Sequence, residues 1–351
     1  MTTPPTPALA PAAAPSAKNA HAALKYLGPG WFAVVMGWSG LALAWLRAQP
    51  LMGDMAGALA LVAAAAALLS FMALLLGSAL RLRRHPDAIQ ADLTHPVRYA
   101  FIAPLPASIV LLATLSISLV GAQPWTEALW WIGCALQIWA TLWVVSRLWA
   151  GNQPGGLQWP GITPLLIIPV VGNVLAPLGG VALGHAEVAA AQFGIGLLLW
   201  PVVLTLLLVR VAHIGLWPER LLPSAFILLA PPAVVGLSAL QLGAPLLVGW
   251  MCWGMAMFHL LWVCRLIRRL AAQPFSVAYW GMSFPLAALA ALTLRLGGHG
   301  GLMAVLAPAL LALASLVVLA LTLATWRGLR DRSLLAPEPV AMLTSATTQT
   351  G

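Results

Sequence analysis

Ten apolar stretches of about 20 residues follow one another between Gly30 and Trp326, each long enough to cross the ~30 Å hydrocarbon layer of a bilayer as a helix. They read as Gly30–Leu46, Met55–Leu80, Tyr99–Val120, Glu127–Leu148, Ile162–Leu183, Val188–Val209, Leu222–Gln241, Leu246–Cys264, Phe275–Leu294 and Leu302–Trp326. Backbone amides in lipid must be satisfied within their own segment, so such a series points to an all-α polytopic membrane protein. A content of 62% hydrophobic and 7% charged residues excludes a soluble globular domain, in which about a quarter of residues carry charge.

An even number of crossings puts both termini on one side. With the N-terminus inside, the cytoplasmic face receives fifteen of the 17 Lys and Arg residues, and the outer face only Arg47 and Arg295. This positive-inside bias predicts a multi-pass protein of the cell inner (plasma) membrane with cytoplasmic termini. It also checks the count, because one missed crossing would scatter the arginines over both faces. The formal charge of +9 therefore reads as orientation, with no role in nucleic-acid binding. Residues 1–25 are rich in Pro and Ala and lack the basic start and apolar core of a cleaved signal, so they read as a disordered cytoplasmic tail. Residues 333–351 read likewise, which leaves 26–332 as the membrane domain.

Very short outer connections, such as Gly121–Thr126, Gly184–Glu187 and Leu242–Pro245, predict five antiparallel hairpins. Helix breakers fall mainly in the odd members: Gly37 and Gly40, Pro104 and Pro106, Pro169 and Pro177, Pro231 and Pro232, and Pro285. The even members carry Pro201 and Pro308. Breakers in lipid need partners for the carbonyls they free, and a shared water-filled pathway lined by the odd helices would supply them. The other reading is that the kinks merely improve helix packing.

No Asp, Glu, Lys or Arg falls deep inside any segment, so a proton relay or sodium site built on buried carboxylates is not expected. A pathway without fixed acid does not repel anions, and kinked helices can offer amides and positive helix ends to attract them. His259 is the one clear intramembrane imidazole, and it reads as a packed interhelical hydrogen-bonder. Cys134, Cys252 and Cys264 lack metal or redox spacing and read as packing residues. No GxSxG, HExxH or GxxxxGK[ST] run is present, so neither an enzyme nor a cofactor site is expected.

The stretch Gln273–Arg295, QPFSVAYWGMSFPLAALAALTLR, concentrates these features. Pro285 removes a backbone hydrogen bond near its middle and places Phe284 at a bend. Taken alone, the pair reads equally as a simple kink beside a packed aromatic.

Four pieces of sequence carry a resemblance. They are GWFAVVMGWSGLALAW from Gly30, HPVRYAFIAPLPAS from His95, LLAPPAVVGLSA in the seventh segment and QPFSVAYWGMSFPLAALA from Gln273. Together they resemble the tellurite-resistance/dicarboxylate transporter (TehA) and slow-type anion channel family, over nearly all of Tyr26–Arg327. The resemblance implies a pseudo-fivefold ring of ten transmembrane helices in five hairpins, odd helices around a central pore, assembled as a homotrimer with one pore per subunit. It also implies a phenylalanine gate within a W-x-x-S-F pattern, matched by Trp280 to Phe284, with kinks at Gly37, Pro106, Pro169, Pro231 and Pro285. Some relatives have a glutamate before the helix-six proline, where this chain has Trp200 before Pro201, so any role of that acid does not transfer. The expected function is an anion channel or facilitator for small inorganic or carboxylic anions, the alternative a proton-coupled C4-dicarboxylate/tellurite-type transporter.

Overall fold

The computed structural model describes residues 23–151, 153, 155–297 and 301–336, and their regular structure is entirely helical. Nine helices among them are long and apolar enough to cross a membrane: α1 (Pro29–Met52), α2 (Asp54–Arg84), α3 (Arg98–Val120), α4 (Pro124–Ala150), α6 (Ala186–Ile214), α7 (Glu219–Gln241), α8 (Leu246–Cys264), α9 (Val277–Leu296) and α10 (Leu302–Arg330). The fifth expected crossing, α5 (Pro164–Gly180), is shorter and interrupted between Val174 and Ala176. Its apolar run is long enough, but Pro177 has no N–H to continue the ladder across that point. The expected tails fall mostly outside the described residues. At the inner edges of those ranges, the carbonyl of Lys25 accepts a hydrogen bond from Arg81 Nε at 3.0 Å, and Leu334 packs back over Gly328.

The helices pair as hairpins: α1 with α2, α3 with α4, α5 with α6, α7 with α8 and α9 with α10. The five turns on one face each hold a glycine at positive φ, Gly53, Gly121, Gly184, Gly243 and Gly301, at 62–89°. Side chains strain there, and glycine does not. The other face gathers the last-turn arginines of α2, α4 and α10, and is called the basic face below. There a short helix, Pro86–Thr94, links α2 to α3, and its buried Asp92 pairs with Arg81 at 2.7 Å and Arg98 at 3.1 Å.

The odd and even members differ in burial. Between 67 and 94% of the most apolar part of α1, α3, α7 and α9 is covered by other helices, against 17 to 39% in α2, α4, α6, α8 and α10. Almost every residue of α5 is buried. Each inner member packs on the next, α1 on α3, α3 on α5, α5 on α7, α7 on α9, and α9 packs on α1 again. The even helices lie outside and turn Leu, Val, Met and Trp side chains outward, as a lipid-facing surface requires. Indole N–H groups tie the layers together: Trp45 to Ser315 Oγ at 3.1 Å, Trp253 to Thr293 Oγ1 at 3.0 Å and Trp280 to Thr325 Oγ1 at 2.8 Å.

All five inner members begin with 3₁₀ turns, at Pro29–Phe32, Arg98–Ile102, Pro164–Leu166, Glu219–Leu229 and Val277–Met282. Among the described residues, none of the outer five does. In four of them the α-helical part then opens with proline in its first turn: Pro104, Pro169, Pro231 and Pro285. Proline is tolerated there because the first amides have no intrahelical acceptor, while upstream of it the i−4 bond is missing and the chain tightens to 3₁₀. Four of the breakers read from sequence, Pro104, Pro169, Pro231 and Pro285, therefore lie where a 3₁₀ turn gives way to α-helix, whereas Gly37 and Gly40 lie within the α-helical part of α1.

Candidate pore

α9 is held rigidly on both sides of its junction. Trp280 is anchored to Thr325 of α10, Ser283 Oγ donates to the Trp280 carbonyl at 2.6 Å, and Phe284 follows directly. The W-x-x-S-F spacing thus has a structural meaning, since one turn of chain ties the residue before Phe284 to the backbone carbonyl of the anchored tryptophan. On the facing side, a β-carbon added to Gly37 would lie 2.7 Å from Ser283 Cβ, and one added to Gly40 would lie 2.9 Å from Phe284 Cδ2. Two glycines three residues apart on one face of α1 let α9 approach this closely.

A cavity of about 360 Å³ lies between the inner helices. Its wall takes residues from all five: Gly40 and Arg47 of α1, Leu111, Thr114 and Ser118 of α3, Leu178 of α5, Val234 and Gln241 of α7, and Phe284, Ala288 and Ala291 of α9. It runs from Phe284 toward the face opposite the basic one, where Arg47, Gln49 and Gln241 line it. No lining residue lies on the basic side of Gly40 in α1 or of Phe284 in α9. Phe284, 6% exposed, is thus the α9 residue that lines the end of the cavity toward the basic face. No carboxylate lines it.

Of the residues singled out from sequence, Phe284 lines the cavity, Gly37 lies in the α1–α9 contact, and Pro285 is buried in α9 without lining the cavity. Pro106, Pro169 and Pro231 are buried near the starts of their α segments and do not line it. At α5 the carbonyl of Pro169 is met by side chains rather than by the cavity: Gln137 Nε2 at 3.0 Å, Thr141 Oγ1 at 2.9 Å and Asn173 Nδ2 at 2.8 Å. Farther along, Val174 O accepts from Ser238 Oγ at 2.6 Å and Ala176 O from Trp130 Nε1 at 3.1 Å. His259 is not the interhelical bonder expected, because its Nδ1 lies 2.7 Å from the carbonyl of Met255 one turn back in α8. It does not line the cavity. Sequence reasoning counted Gly40 only as a breaker and Arg47 only as an orientation charge, and it missed the Gln137–Thr141–Asn173 network. The signal for Gly40 was available in its three-residue spacing from Gly37; Arg47 carries no local signal beyond its position one residue past the expected end of the first segment, Leu46.

A family model described as SLAC1, voltage-dependent anion channel, matches residues 26–326. The chain is similar to the tellurite resistance protein TehA homolog of Haemophilus influenzae, 27% identical over 269 residues that cover 74% of this chain and 78% of the relative. It is also similar to the S-type anion channel SLAH2 of Arabidopsis thaliana, 26% identical over 212 residues that cover 60% of this chain and 40% of that protein.

Proposed function

The chain belongs to the SLAC1 family of voltage-dependent anion channels, and from that premise we propose that it is an anion channel or facilitator whose pore, one per subunit, is gated by Phe284. The pore passes small inorganic or carboxylic anions. The observation that supports this reading is the cavity walled by all five inner members, with Phe284 at its end toward the basic face and no carboxylate among the described lining residues. A bulky apolar ring occludes a narrow pore by filling it and by excluding the water that an ion needs.

Several finer features belong to the same proposal. α5 serves as a tenth, broken crossing, and the closed order of contacts α1, α3, α5, α7, α9 supports a pseudo-fivefold ring. The 3₁₀-to-α junctions at Pro106, Pro169, Pro231 and Pro285, with Gly37 in α1, set the inner helices around it. The basic face is cytoplasmic, both termini with it, in the inner membrane. Three subunits assemble, each with its own pore. A proton-coupled dicarboxylate or tellurite-type carrier is the competing activity, and the position of His259 away from the cavity counts against it. Purified protein in liposomes is expected to pass nitrate and chloride down their gradients equally with and without a pH difference. Flux that requires the pH difference would identify the carrier, and no anion flux from either wild type or Phe284→Ala would overturn the channel reading.

A further inference from the structure

Among the described residues, Arg47 is the one charged side chain in the cavity wall. The ion pairs found among the described residues are Arg81–Asp92, Arg98–Asp92, His185–Glu127 and Arg269–Glu219, so Arg47 has no carboxylate to neutralise it. Three acids lie near the same face, Asp54, Glu127 and Glu187 at the starts of α2, α4 and α6, and none lines the cavity. An unpaired guanidinium at a partly enclosed aqueous mouth keeps most of its field, because the low-dielectric walls focus it along the cavity axis.

The neutral polar groups of the wall decide what this charge does. Thr114 and Ser118 donate their hydroxyl protons to their own helix, to Val110 O at 2.9 Å and Thr114 O at 2.8 Å. They turn oxygen lone pairs, not donors, into the cavity. Deeper than the Gln49 and Gln241 amides at the mouth, a bare anion would find no ring of side-chain donors to replace its water shell. What remains is long-range attraction to a hydrated ion.

We infer that Arg47 forms an anion-concentrating vestibule above Phe284, a superficial site that raises the local concentration of hydrated small anions at one entrance of the pore. The inference rests on the anion-channel reading above. It makes the two entrances unequal: entry from the Arg47 side is assisted by this charge, whereas entry from the basic face does not pass it. Arg295 lies nearby on α9, exposed and outside the cavity wall, and its like charge acts on Arg47 from there.

The test uses full-length protein in planar bilayers, in the Phe284→Ala background so that entry limits the current, with wild type alongside. Nitrate supplied at low ionic strength on the Arg47 side is expected to carry about three- to fivefold less current in Arg47→Gln than with Arg47 present. Arg47→Lys should retain the current, and Arg47→Glu should lower it further. The differences should shrink toward none at ~1 M salt, where charges are screened beyond about 3 Å, and a purely structural defect would not follow salt in this way. Arg295→Gln should have the smaller effect. Nitrate current that is equal in Arg47→Gln and its parent at low salt overturns the vestibule while leaving the channel reading intact. Absence of anion current in both wild type and Phe284→Ala overturns both.

Discussion

Gly40 and Phe284 meet across the α1–α9 contact so closely that a β-carbon on Gly40 would sit 2.9 Å from Cδ2 of the ring. The position of the ring is thus set by a missing side chain on another helix. Gly40→Ala forces the ring from its seat or the helices apart, and overpacking of this kind costs about 1–3 kcal/mol. Because a second β-carbon, that of Ala287, lies 3.3 Å away, the backbone has little room to absorb the strain. The expected outcome is a lower melting temperature in detergent together with several-fold higher resting anion flux in liposomes. A lower melting temperature with unchanged flux would mean that the ring does not seal the conduction path.

The anchor behind the gate makes a separate prediction. Trp280 Nε1 donates to Thr325 Oγ1 at 2.8 Å, and the Trp280 carbonyl takes the Ser283 hydroxyl. Trp280→Phe and Thr325→Val each remove that bond, at about 1 kcal/mol. The double variant should lose little more than the worse single one, since both changes delete the same interaction. Additive losses in thermal unfolding would show that the two residues act independently.

On the basic face, Asp92 is 5% exposed and carries two arginines, Arg81 at 2.7 Å and Arg98 at 3.1 Å. The Arg81 side chain is as buried as the acid, whereas that of Arg98 is 40% exposed. Asp92→Ala leaves a buried guanidinium without its counter-charge, expected to cost about 3 kcal/mol. Arg98→Gln removes a partly solvated partner and should cost under ~1 kcal/mol. Comparing the two melting curves checks the ranking; equal losses would place the burden on Arg98.

How far these features can be read from sequence depends on the range of the interaction that makes them. The hairpins are legible because length, hydropathy and short connections are local, and the inner set is legible because proline and glycine mark it. The break in α5 is not visible to hydropathy, because Val174 and Ala176 on either side of it are as apolar as the rest of the run. Proline positions were readable, but their meaning was not, since whether Pro285 kinks an α-helix or opens one depends on the 3₁₀ turns before it. The fit of Phe284 onto Gly40 joins residues from opposite ends of the chain, and nothing local encodes which helix closes on the first. Arg47 illustrates the same limit for charge, because orientation and lining a cavity call for the same residue at the same helix end.

The final prediction concerns Phe284 itself. Its side chain lines the end of a cavity of about 360 Å³ that faces the basic side, with Gly40 of α1 against the ring and the anchored Trp280 four residues before it. If this ring is the barrier, Phe284→Ala joins the cavity to the space beyond and lets water follow the ion. Anion conductance should rise by an order of magnitude or more, which corresponds to at least ~1.4 kcal/mol off the barrier. Phe284→Leu leaves more of the plug in place and should open less. Tyr279, five residues earlier in the same element, donates its hydroxyl to the Leu270 carbonyl at 2.7 Å and does not line the cavity. Tyr279→Ala should therefore leave conductance near the wild-type level even though it, too, removes an aromatic ring from α9. Single-channel recording on all three variants, with folded protein verified in the same membranes, separates a plug from a packing residue: a Phe284→Ala channel that conducts no better than wild type makes Phe284 the latter.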